Sequence, residues 1–569
     1  RMTGTTSTSM ISGDQVDEEV NAGDSERFSV MRPRQARTKL PRVMYRIRGD
    51  NGPDWDMPNN DIESVSHAVL ERVFFVKDGR GGFRRAPKPW THSSVVLDEN
   101  PYKSAQLKVQ DRLSTFSSKM KAIADKHGKV SPLTDEEFVS YYGGAKRRCY
   151  EAAVESLRDE SLRAKDCRVS VFTKDEYKKP GGAPRAIQPR SPRFNVKLGR
   201  YIKHVEHEIF HAIDKIFDPY GEHRTVAKGL NMVDRGNVIA NMWSEFADPI
   251  AVGLDASRFD QHINRLLLEH EHSFYHMWSV GKGDDLPNLR TLLRSQLFNE
   301  GVYKGVDGVL RYKVNGCRMS GDMNTSLGNV IIMCSLMYAY FDHVRLRGKV
   351  RLFNDGDDCV IIMDRRNLSR FQRGLQDWFL EMGITMEYDG IYRTLEEIEF
   401  CQCRPVRYGS GWRLAPRPHK RLYSDLITTK PVFSRKVYRK QTGAIAGCGL
   451  ACSVGMPVFQ EFYKWLGRGA TPWIPKQGDY YYKYRQELVD GLNEKAREPS
   501  FEERISFYFA FDVTPEEQIS MEEYYRNLPD PLHSSPVDDP VRLLDTIQYF
   551  VEPEQKPQRV CHISRVSTP

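Results

Sequence analysis

The chain is poor in the features that mark secreted, thiolate-bound or membrane-spanning proteins. Its ten cysteines are scattered over 569 residues, with no Cys-x2-Cys pair among them. Cys401-x-Cys403 and Cys448-x3-Cys452 have no histidine companions at zinc spacing, so the thiols read as reduced and structural in a cytosolic protein. No apolar run reaches the roughly 20 residues of a membrane-crossing helix, and no secretory signal pattern is visible. A strong charge of one sign is also missing: 84 Lys and Arg against 76 Asp and Glu leave +8. Any anionic partner must therefore be held by local channels rather than by a global field. At 569 residues the chain exceeds one ordinary core and should divide into several subdomains.

What is present is more specific. Phe353-Asn354-Asp355-Gly356-Asp357-Asp358-Cys359-Val360-Ile361-Ile362 reads as a β-hairpin with Gly-Asp-Asp at its tip. Aspartates are poor strand formers and costly to bury alone, so they call for a partner, and a hard divalent cation suits carboxylate oxygens. The tripeptide alone is weak, and Gly283-Asp284-Asp285 reads as an ordinary turn. Upstream, Val252-Gly253-Leu254-Asp255 has the apolar entry of a strand, followed by Asp260 five positions on. Alone, Asp255 also reads as a strand-end turn acid. Projecting beside the hairpin tip, it would let two strand-borne carboxylates hold two Mg²⁺ ions roughly 3.5–4 Å apart.

A third element lies between them. Ser320-Gly321-Asp322-Met323-Asn324-Thr325 suits a loop that lets backbone approach a ligand, and Val330 to Phe341 reads as a buried helix. Thr325 and Asn329 share a helix face, where they form either a core polar patch or a reader of a sugar hydroxyl.

Asp255 with Asp260, Ser320-Gly321 with Thr325 and Asn329, and Gly356-Asp357-Asp358 stand in the order and spacing of polymerase motifs A, B and C. Val171 to Tyr177 with Pro184 to Arg190 resembles motif F, and Ile398 to Cys403 resembles motif E. The chain resembles RNA-dependent RNA polymerases of positive-strand RNA viruses, nearest the tombusvirus-like plant viruses and their luteovirus relatives.

The resemblance implies an α+β fold of the right-hand polymerase type, with fingers, a palm built on an antiparallel sheet with helices, and a mainly helical thumb. It also implies RNA-directed RNA synthesis with primer-independent initiation, on Mg²⁺ with Mn²⁺ as a substitute. Asp255 and Asp357 would be the principal metal ligands, with Asp358 a lesser one. Asp260, Thr325 and Asn329 would sense the ribose 2′-hydroxyl. Ser320 and Gly321 would begin the loop around the templating base and incoming nucleotide. Lys174 and Arg185 would line the triphosphate channel and Ile187 would pack on the templating base, with Lys178, Lys179 and Arg190 as lesser candidates. One departure stands out. No lysine occurs between Lys349 and Lys420, so the general acid expected of motif D has no candidate.

The implied organisation is an N-terminal extension over 1–95 with a disordered start and fingers over 96–222. Palm segments follow at 223–262 and 320–408, with a fingers insertion at 263–319 between them and a thumb with tail over 409–569. Leu107 to Ala124, Glu136 to Leu157 and a stripe from Leu368 to Met382 ending at Gly383 are expected helices. Arg32 to Arg48, Lys146 to Arg148, and Arg413 to Arg421 are basic clusters, and Tyr480 to Arg485 interleaves aromatics with cations. The partners implied are template and nascent RNA and ribonucleoside triphosphates. A shorter viral replication protein and host membranes would be reached through an absent N-terminal region, which the Arg1 start suits. The implied location is the host cytoplasm, in membrane-associated replication complexes. Two alternatives stay open: a reverse transcriptase, which Asp260 and Asn329 argue against, and a non-catalytic RNA-binding protein, which has no need of the spaced acids.

Overall fold

The computed structural model describes residues 18–19, 26–32, 45–46, 56–78, 82–221, 223–279, 285–428, 435–472 and 495–531. The expected disordered start (bar 18–19), most of the Arg32–Arg48 cluster, Gly283-Asp284, Tyr480–Arg485 and the tail lie outside them.

The fold is α+β, and its centre follows from the two-residue period of side chains along a strand. Pro249–Ala256, Val350–Asn354, Asp358–Asp364 and Met386–Tyr392 form an antiparallel sheet, ordered 350–354, 358–364, 249–256, 386–392. Ile250, Val252 and Leu254, with Cys359, Ile361 and Met363, enter the largest core. Ala251, Val360, Ile362 and Phe353 enter another, with Ile239, Met242, Ile398 and Phe400. Because both faces are covered, the inner strands read as nearly unbroken apolar runs.

The Thr325–His343 helix is buried continuously from Leu327 to Phe341. It packs among the helices Pro101–His127, Glu206–Phe217 and Arg265–Trp278, which explains an apolar surface on every side. Among the described residues no helix is long and apolar enough to cross a membrane.

Helix boundaries show where local signals prevail. Pro101–His127 extends the expected helix in both directions: Asn100 caps the Lys103 amide at 3.0 Å, and Gly128 ends it at φ +83. The expected Glu136–Leu157 helix is instead two, Asp135–Ser140 and Gly144–Asp159. Gly144 at φ +56 breaks the run. Gly374 at φ +73 likewise splits the Leu368 to Met382 stripe into Leu368–Gln372 and Leu375–Glu381, and Gly383 ends it as expected.

A second sheet draws on distant parts of the chain. Arg27–Met31, Gly308–Asn315, Phe298–Gly305 and Val169–Ser170 are successive neighbours in it, with Glu18–Glu19 at its edge. Helix Ile62–Val69 and Phe74 share its core. The C-terminal described region is helical, with Phe459, Phe462, Trp465, Leu466 and Phe507 in one cluster.

Candidate active site

The Gly-Asp-Asp turn is fastened from inside by its own flanking residue. Asn354 donates to the Gly356 carbonyl at 2.7 Å and accepts from the Gly356 amide at 3.1 Å. Gly356 has φ +94, a conformation a side chain would strain. Asp355 points away from solvent, 2.5 Å from Lys228 and 2.9 Å from Arg235. Burial acts to raise its carboxyl pKa, but these two cations outweigh it and hold the carboxyl below the usual range. Lys228 is itself held up by Asp355 against the opposing effect of burial. The segment Thr225–Ala227 joins the sheet edge here, Thr225 accepting from Asn354 at 2.8 Å and Ala227 donating to it at 2.9 Å.

Strand register decides which acids meet. Asp255 stands directly across from Asp358 on one side and Glu387 on the other, so three carboxylates line one row of the sheet. Burial raises the Asp255 carboxyl, and Glu387 and Asp389 add to the rise. Asp357, next in the turn, is raised by burial, by Asp260 and by Asp255. Asp358, though its side chain stands at an exposed strand end, is pushed up to about 7 by partial desolvation in the cleft, then by Asp357, Asp355 and Asp255. Like charges held together and only partly offset make a site that favours a cation.

The raised Asp358 carboxyl has a testable consequence. Its folded pKa exceeds its unfolded value, so the ionised form destabilises the fold, and stability falls as pH rises from about 4 to about 7. Asp358→Asn is therefore expected to stabilise the metal-free protein by about 1–2 kcal/mol at pH 8, after discounting for solvent screening, and by little at pH 4. Thermal melting at both pH values measures this; an equal shift at both would remove the electrostatic explanation.

Between Asp255 and Asp260 the chain reverses through Arg258, whose φ of 47 lies in the left-handed region. Its guanidinium is anchored to the Glu71 carboxylate at 3.1 Å and the Phe75 carbonyl at 3.2 Å, and Gln261 donates to Phe75 at 2.8 Å. Asp260 is brought to the helix face of Asn329, whose amide donates to it at 2.9 Å; Ser320 donates to its other oxygen. Thr325 is placed differently from the expectation that groups it with Asp260. Its hydroxyl lies 3.0 Å from the Asp322 carbonyl and 3.2 Å from that of Met319, closing the loop from within.

The basic segment is a short hairpin, Phe172–Thr173 paired with Ala186–Ile187. Lys174 and Arg185 emerge side by side at its end and share Glu176, at 2.8 and 3.2 Å. Arg185 acts electrostatically on Asp255. Ile187 is half-buried. The following residue, Gln188, donates its amide to Ser320 at 2.6 Å, and a Cβ on Gly321 would come within 3.1 Å of Pro189. With φ +124, Gly321 is required by both conformation and contact. Of the lesser candidates, Arg190 is fully buried against Asp322 at 2.7 Å and Lys178 is paired with Asp56 at 2.5 Å.

Sequence reading missed Lys228, Arg235, Arg258 and Glu71, because the ion pairs Lys228–Asp355, Arg235–Asp355 and Arg258–Glu71 each join residues far apart in the chain. Cys401 donates toward Asp355 at 3.5 Å, from a two-residue turn in which Cys401 and Gln402 have φ of 52 and 61. Neither residue type advertises such a turn. The strand Met386–Tyr392 sets Glu387 opposite Asp255. Among the described residues no three His, Cys, Asp or Glu side chains already converge on a metal-binding point. The carboxylate row and Asp357 are nevertheless the donor set a hard divalent ion takes.

A family model described as viral RNA dependent RNA polymerase matches residues 29–530. The RNA-directed RNA polymerase of Tobacco necrosis virus (strain A) is 37% identical over 475 residues, 82% of this chain and 61% of that protein. That of Turnip crinkle virus is 33% identical over 502 residues, 86% of this chain and 60% of that protein. That of Cymbidium ringspot virus is 37% identical over 469 residues, covering 82% and 53%. The chain thus spans about three-fifths or less of the length of these relatives. Matched over most of its length, the chain belongs to the viral RNA-dependent RNA polymerase family.

Proposed function

We propose that this chain carries the polymerising activity of a plant-virus RNA-directed RNA polymerase, joining ribonucleoside triphosphates on an RNA template. The observation that carries the reading is the register pairing of Asp255 with Asp358, with Asp357 next in the turn. Three mutually repelling carboxylates are placed where the basic hairpin, through Arg185, and the Asp260–Asn329 pair come together. On this reading the central sheet is the palm. The second sheet with its basic hairpin belongs to the fingers, and the C-terminal helices form the thumb.

The residues present fit Mg²⁺: Asp255 and Asp357 would be the main ligands and Asp358 a supporting one. Bound there, the metal would ease deprotonation of the attacking 3′-hydroxyl and stabilise the leaving pyrophosphate. Lys174 and Arg185 are suited to draw away from Glu176 and hold triphosphate oxygens. Asp260 can accept only, so it would take a hydrogen bond from the ribose 2′-hydroxyl. Location in membrane-associated complexes and a shorter replication partner belong to the same proposal.

The test is incubation of the purified chain with single-stranded RNA, labelled ribonucleotides and Mg²⁺, with and without primer. Template-complementary RNA is the expected product. Incorporation of deoxynucleotides alone would favour reverse transcription, and tight RNA binding without synthesis, even with the upstream replication protein and membranes added, would overturn the enzymatic reading. Asp260→Ala or Asn329→Ala should raise relative use of deoxynucleotides about tenfold or more, read as a ratio of kcat/KM values. An unchanged ratio would remove both residues from sugar selection.

A further inference from the structure

Beneath the Asp260–Asn329 pair lies a buried polar chain with no solvent exit. Arg318 is 1% exposed and Glu271, on the Arg265–Trp278 helix, is 0% exposed; the two form an ion pair. The other Glu271 oxygen accepts from Tyr275 and from Asn324, each at 2.6 Å. Arg318 Nε donates to Asn329 Oδ1 at 3.1 Å, and its backbone amide donates to the Asp260 carbonyl at 2.9 Å. An amide has one acceptor end and one donor end. With Oδ1 turned inward onto Arg318, Asn329 faces the site with its Nδ2 hydrogens, one of them already on Asp260.

Gly328 points the same way. A Cβ there would collide with both Glu271 and Arg318, so this helix interior carries a residue unfavourable to helices in order to admit the ion pair.

We propose that Arg318, braced by Glu271, is a positioning residue for ribose selection: it fixes the amide of Asn329 so that the site reads the 2′-hydroxyl with one donor, Asn329, and one acceptor, Asp260. This inference rests on the polymerase reading above. Arginine matters here because its guanidinium serves Asn329 through Nε and Glu271 through Nη2 at once, which a lysine ammonium at the same position does not reproduce.

The experiment compares wild type, Arg318→Lys, Gly328→Ala and Asn329→Ala. It measures kcat/KM for CTP and dCTP opposite a templating guanine, with melting temperature and template binding recorded alongside. Arg318→Lys should lower the CTP-over-dCTP ratio about tenfold, equivalent to about 1.4 kcal/mol, with template binding kept. Gly328→Ala, which pushes on the same pair from the neighbouring helix, should lower the ratio in the same direction and decides the matter if Arg318→Lys does not fold. A purely structural role would reduce both efficiencies equally and leave the ratio unchanged, which would overturn the proposal. Loss of discrimination in Asn329→Ala alone, with Arg318→Lys and Gly328→Ala discriminating as wild type, would also overturn it. A wild type inactive with either nucleotide would count against the polymerase reading itself.

Discussion

Asp357→Ala should lower nucleotide incorporation by at least about a thousandfold, some 4 kcal/mol of transition-state stabilisation. Template RNA binding should stay within about twofold of wild type. The carboxylate sits in the turn between Gly356 and Asp358, and its charge meets those of Asp260 and Asp255. On the proposed reading, removing it takes away one of the two main carboxylates that would hold the metal at the transferring phosphate. The surface proposed to hold phosphates is cationic and elsewhere, at Lys174 and Arg185, now paired with Glu176. The same change relieves like-charge repulsion, so the metal-free variant should melt no lower than wild type. Single-turnover incorporation, filter binding and thermal melting together check this. Substantial synthesis by the variant would sink the assignment of Asp357, and lost RNA binding would show that the turn shapes the template site.

Asp355→Asn should have the second-largest effect, although Asp355 faces inward and is assigned no contact with substrate. The change keeps the shape but removes the carboxylate charge that Lys228 and Arg235 share, their side chains being 29% and 11% exposed. Breaking such a pair costs about 3 kcal/mol, tempered here by the partial exposure of Lys228. Incorporation should fall about a hundredfold, chiefly in kcat, because the turn that aims Asp357 loses its anchor. The pH dependence has a definite sign. Asp355 is held below its ordinary pKa, so its contribution is present above the unfolded carboxylate value and is lost as pH falls through the folded one. Asp358, three residues away, has the opposite sign and loses stability as pH rises toward 7. Denaturation profiles of Asp355→Asn and Asp358→Asn against pH should therefore diverge in opposite directions, and parallel profiles would show that the two carboxylates do not differ in environment.

Much of the site was legible from the chain because its elements are local. Apolar runs around Asp255 and around Asp357-Asp358 identify strands whose ends carry acids, since a buried strand must be apolar and its acids can stand only at its margin. Asn329 on the face of the Thr325–His343 helix was legible for the same reason, by helical period. For Thr325 the helical period alone did not say whether a hydroxyl at a helix start turns outward or back to its own loop. At that position nearby carbonyls are the closest acceptors.

Through the motif resemblance the sequence implied the α+β class; by itself it determined the strand–turn–strand around Gly356, the identity of the acids and the order of the motifs. These depend on residue type and on spacings of a few positions. Tertiary structure alone decided the rest: the row of Asp255, Asp358 and Glu387, the inward turn of Asp355 onto Lys228 and Arg235, the tether from Arg258 to Glu71, and the brace from Glu271 through Arg318 to Asn329. The reason is physical. A charged side chain leaves no periodic trace of its partner, and whether it is solvated, paired or buried is settled only when distant segments close around it and remove water.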